Sequence, residues 1–99
     1  MDATPVEKLK NIGPKSAQWM REIGLETRAD LEEMGVVMAY HIMRHRIKGI
    51  NVLMLYALEG ALTDTHWNAL PPARKAALQA ASKEDITITF GRPGDEDPR

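Results

Sequence analysis

Helix-breaking residues recur at short intervals along this chain, and they limit what it can fold into. Pro5, Gly13-Pro14, Gly24, Gly35, Gly49 and Pro71-Pro72 cut most of the 99 residues into pieces too short for a long helix or a coiled coil. Within the pieces, apolar residues recur at helical spacing, as in Ala17, Met20 and Ile23. The predicted fold class is therefore all-α: a single compact domain of five or six short helices. A chain of 99 residues suits one domain with one modest core.

The pieces can be assigned in order. Thr4 and Pro5 resemble an N-cap with proline at N1, which predicts a first helix over 5–10 burying Val6 and Leu9. Residues 11–15 form a corner, because Pro14 disfavours the α region at Gly13. A second helix is expected over 14–23, with Gly24 placed to cap it. Thr27-Arg28-Ala29-Asp30 has the form of a capping box and opens a short helix with Leu31 and Met34 inside. Gly35 ends it, and residues 36–46 form the next helix. Asn51 is positioned to cap the most apolar segment, "NVLMLYALEGAL", expected to be the central buried helix. Gly60 inside that helix costs about 1 kcal/mol relative to Ala, and without a side chain it admits a neighbouring helix closely. Glu59 in the same segment lies on an exposed strip or is hydrogen-bonded to a neighbour. "TDTHWNALPP" predicts a turn, a single helical turn and a stop, with Trp67 covering the core and Trp19 flanking it. The last helix has Ala73, Ala77, Leu78 and Ala81 as its apolar positions.

The expected domain spans residues 4–83. Residues 84–99 differ in kind: "ITITF" alternates as a strand does, without a second strand elsewhere to pair with. An acidic tail that is flexible, or that forms a strand with another chain, is the expectation. One internal echo is present: "LKNIGPKSA" and "LEEMGVVMA" share Leu-x-x-apolar-Gly-x-x-x-Ala, as two helix–Gly–helix corners would.

The formal net charge is −1, so a strongly basic nucleic-acid binder is not indicated and any anion site is local. Cysteine is absent, which excludes disulfides and thiolate chemistry. No apolar run approaches the roughly 20 residues of a membrane span, and the start lacks a signal peptide's apolar stretch. A cytoplasmic protein without membrane contact is expected. No nucleophile–base–orienter set is readable around Ser16 or Ser82, so no catalytic residue is assigned. His41 and His45 have i, i+4 spacing, but lack the Glu of the zinc-protease pattern. They are read as part of a solvated face with Arg44, Arg46 and Lys48. No metal, cofactor or small-molecule substrate is expected.

The corner "LKNIGPKSAQWM" carries the sharpest signal. It resembles the helix-hairpin-helix motif, whose hairpin amides bind a DNA phosphate without reading sequence. Unpaired N–H groups at a helix start, backed by the helix dipole, suit that task. The candidate nucleic-acid-binding residues are Lys10, Asn11, Gly13, Lys15 and Ser16. Asn11 stands where the motif has its first glycine, and Asn tolerates left-handed geometry better than most residues. The competing reading is a structural corner whose lysines are merely solvated.

The resemblance extends further along the chain. The Ile-Gly-Pro-Lys-Ser corner, Trp19, the Gly-Leu-x-Thr-x-x-x-Leu step, Leu-Tyr-Ala-Leu-Glu-Gly and Trp67-x-Ala-Leu-Pro come in the order seen in one family. Together they resemble the C-terminal domain of the TfoX/Sxy family of bacterial competence regulators, over about Val6 to Leu78. The resemblance implies a compact helical accessory domain in a protein of transcription or competence regulation, and not an enzyme. Two mechanisms then compete. In one, the hairpin binds DNA backbone. In the other, a helical face binds a protein partner or a second copy of the chain.

Overall fold

The computed structural model describes residues 3–90, and the side chains of 3–83. It contains five α-helices: α1 (Pro14–Glu22), α2 (Arg28–Met34), α3 (Val36–Arg46), α4 (Val52–Thr63) and α5 (Pro72–Phe90). Single 3-10 turns at Val6–Lys8 and Trp67–Ala69 complete the set. Among the described residues there is no strand, only an isolated antiparallel bridge between Pro5 and Thr27. The fold is all-α. None of the described helices is long and apolar enough to cross a membrane.

The first expected helix shrinks to one turn. Pro5 keeps an extended backbone, with ψ at 144°. On either side of it, Val6 N–H donates to Glu26 O at 3.0 Å and Arg28 N–H to Thr4 O at 2.9 Å. Thr4 and Pro5 are thus held against the α1–α2 loop, and Pro5 rather than Thr4 takes the N-cap position of the single turn that follows. Leu9 is extended again, with ψ at 149°, and the chain enters the corner.

Local sequence accounts for the next helices. Pro14 opens α1, Ala17 and Met20 are buried, and Ile23 packs half-buried against the core. At α2 the capping box closes in both directions. Asp30 N–H donates to Thr27 Oγ1 at 3.3 Å, while Asp30 Oδ2 accepts from Thr27 N–H at 3.1 Å and Glu26 N–H at 3.0 Å. Gly35 ends α2 and starts α3 with φ at 88°, a left-handed value that favours glycine. The two echoed corners therefore share a buried Leu and a buried Ala but not the backbone at glycine, since Gly13 sits at φ −90°.

The core gathers Val6, Met20, Leu25, Leu31, Met43, Leu55 and Leu58, all fully buried. α4 lies centrally, packed against α2, α3, α5 and the Trp67 turn. Its Glu59 is almost buried, and Arg74 Nε donates to its Oε2 at 2.8 Å, which satisfies the carboxylate. His41 departs from the solvated face expected of it. It is 3% exposed, whereas His45 is exposed, because α3 is packed on several sides and only its end emerges. Arg46 at that end donates to Glu22 O at 3.4 Å, and Arg44 lies over the Tyr40 ring.

α5 differs most from expectation. Its inward positions are Leu78 and Ser82, while Ala73 and Ala77 are exposed. Alanine is small enough to sit on either face, so its spacing carried little directional information. The helix also continues through 86–90, where alternation predicted a strand, and the boundary expected at residue 84 falls inside it. Extending an established helix adds one hydrogen bond per residue fixed, and strand propensity depends on a sheet being available. The remainder of the expected flexible tail, 91–99, lies outside the described residues.

Candidate docking groove beside the hairpin corner

Asn11 organises the corner. Its φ is +72°, the left-handed geometry for which the motif uses glycine. Its side chain turns inward and makes three hydrogen bonds. Nδ2 donates to Thr65 O at 2.9 Å and to Ala57 O at 3.3 Å, and Oδ1 accepts from Trp67 N–H at 3.1 Å. One amide thus ties the corner to α4 and to the loop after it. Gly60 makes room for this. A Cβ there would lie 2.3 Å from both Asn11 Nδ2 and Thr65 O. The close neighbour expected at Gly60 is a side-chain amide and a loop carbonyl, not another helix.

The other candidate residues lie differently. Gly13 and Lys15 are exposed and Ser16 is half-exposed at the start of α1, with Lys10 exposed before them. Ala17 N–H makes the first bond of the helix, to Gly13 O at 2.9 Å. The amides of Lys15 and Ser16 precede it, and Gly13 supplies no side-chain cap. Gly13, Lys15 and Ser16 form one outward surface, and Asn11 supports it from below. The Lys15 ammonium lies 5.7 Å from the centre of the Trp19 ring, one turn along the helix.

Beside this corner runs a groove of about 320 Å³ between α1, the α3–α4 loop, α4 and the Trp67 turn. Trp19 and Trp67 line it, with Ile50, Leu53, Met54 and Ala57 among the residues between them. Both tryptophans are half-buried and pack on the core, as expected, and both are also groove walls. Leu53 is 47% exposed, the one large hydrophobic residue so exposed among those described. From α5, the Lys75 ammonium lies 6.0 Å from the Trp67 ring centre and 5.4 Å from that of Tyr56.

The groove was not visible in the sequence. α4 is apolar nearly all round, so periodicity names no outward face. The available signal was that a helix with so few polar residues, in a domain this small, must expose something apolar.

Comparison with known proteins places the domain. The TfoX C-terminal domain model matches residues 3–82. A crystal structure of an uncharacterized protein from Listeria monocytogenes is similar, with a TM-score of 0.74 and 27% identity. The match covers 82% of this chain and 92% of that one. No curated protein matches. With the family model spanning most of the chain, and the corner, the capping box and the tryptophan turn in the expected order, the chain belongs to the TfoX C-terminal domain family.

Proposed function

We propose that this chain is a non-catalytic accessory module of a bacterial regulatory protein, acting in the cytoplasm by docking a protein partner in the groove between Trp19 and Trp67. The observation that carries this is Leu53. It is 47% exposed on the floor of a groove walled by two half-buried tryptophans, and an apolar pocket with aromatic walls is the kind of surface that anchors a protein contact. The near-zero net charge agrees, since it provides no general attraction to nucleic acid.

A second reading has its own support. The open first-turn amides of Lys15 and Ser16, with two lysines beside them, suit a DNA phosphate. The two readings separate in a pull-down from the native cell with and without nuclease. Protein docking predicts partners that survive nuclease and are lost with Leu53→Asp. Backbone binding predicts partners released by nuclease and lost with Lys15→Glu, and that outcome would replace the first reading.

A further inference from the structure

We infer that the occupant of the groove is an acidic segment of a partner protein carrying one or two bulky aliphatic side chains, an inference that rests on the docking reading above. Three features of the groove define that chemistry.

The first is its floor. Ile50, Leu53 and Met54 offer aliphatic surface, and about 320 Å³ lies at the small end of the ~300–1,000 Å³ range of ligand sites. That space suits one or two inserted side chains better than a cofactor.

The second is its rim. Lys15 stands over Trp19 and Lys75 over Trp67, one lysine at each aromatic wall. Lys10 and Lys48 are exposed and precede the lining residues Asn11 and Gly49 in the chain. No carboxylate lines the groove. In a chain whose total charge is −1, each aromatic wall of the groove thus has a lysine ammonium against its ring and no carboxylate in the lining offsets them. An acidic segment complements it, and a basic one is repelled.

The third feature disfavours bases. Single-stranded nucleic acid needs open aromatic faces for stacking. Here each tryptophan packs on the core, and each carries a lysine ammonium within cation–π range of its ring. The surface left between them is mainly aliphatic, with the amides of Asn11 and Asn51 among it.

The test uses the full chain and four labelled probes in fluorescence anisotropy. Three are peptides with one Leu-Leu core, flanked by glutamates, by glutamines or by lysines. The fourth is an oligothymidylate. The glutamate peptide is expected to bind at least about tenfold more tightly than the glutamine peptide at about 50 mM salt, with the gap closing near about 500 mM. Leu53→Asp should abolish binding, while Lys15→Gln with Lys75→Gln should reduce the glutamate peptide to the glutamine level. Leu53 occupies the first turn of α4, where aspartate suits the dipole, so that variant is expected to keep its helical circular dichroism. Equal binding of the glutamate and glutamine peptides, still lost with Leu53→Asp, would overturn the acidic class and leave the docking reading standing. Binding of no peptide would overturn both. Preferential binding of the oligothymidylate would replace the protein partner with nucleic acid.

Discussion

Asn11 does at one position what the helix-hairpin-helix pattern does with a glycine, and it adds a staple. Its left-handed backbone turns the chain, while its amide joins Ala57, Thr65 and Trp67. Asn11→Gly should keep the turn and lose the three hydrogen bonds. Asn11→Ala should lose them and add left-handed strain of about 1–2 kcal/mol, read as a gap between the two variants in urea melts. Gly60 is the other half of the device. Gly60→Ala gains helix propensity but drives a Cβ into Thr65 O and Asn11 Nδ2, so it should destabilise by about 1–3 kcal/mol. In a double-mutant cycle, Asn11→Gly should relieve part of that cost, leaving a coupling of about 0.5 kcal/mol or more. Strict additivity would show that the two residues do not share the site. That Asn can hold the left-handed turn and that Gly60 admits something close are both legible in the sequence. Their pairing is not legible, because they are far apart in the chain and neither pattern names its partner.

Helix starts were the most legible elements, because their determinants are local. Thr27 and Asp30 cap α2, Asn51 caps α4 by accepting from Leu53 N–H at 2.9 Å, and Pro14 opens α1. The Asp30 carboxyl is held below its ordinary value by the N–H of Glu26 and then by that of Thr27. Its contribution is therefore complete above the unfolded value of 3.8 and is lost as the pH falls through the lower folded value. Urea midpoints measured down that acid range should fall for the native chain. Asp30→Asn should start lower at neutral pH and fall less steeply. Element interiors were less legible. The stripe on α1 faces the core as its spacing indicates, but α5 is alanine-rich, and of its four apolar positions Leu78 is buried, Ala81 half-buried, and Ala73 and Ala77 exposed. "ITITF" follows the preceding helix because no sheet edge competes among the described residues. The placement of α4 at the centre is open to a direct check. Leu58 is fully buried there, and Leu58→Ala should cost about 2–5 kcal/mol in denaturant melts. A loss below about 0.5 kcal/mol would remove α4 from the core.

At the scale of the whole molecule, the features converge on one surface. The corner fixes Asn11, Asn11 fixes the Trp67 backbone, and the Trp67 turn with α1 and the start of α4 encloses the groove. The groove is a product of tertiary packing, built from residues spread between Asn11 and Trp67, so short-range patterns in the sequence could locate its walls but not their meeting. Under the docking proposal, this surface rather than the hairpin amides is where the module acts. The two tryptophans are the only ones in the chain, and both are groove walls, so their indole N–H signals are direct reporters. The most direct measurement is a nitrogen-15 correlation spectrum of the full chain, titrated with the glutamate-flanked Leu-Leu peptide. The account predicts that both indole signals and the Leu53 amide move together and saturate, and that the first two stay fixed in Leu53→Asp. Shifts confined to Gly13, Lys15 and Ser16, with both indole signals unmoved, would contradict it.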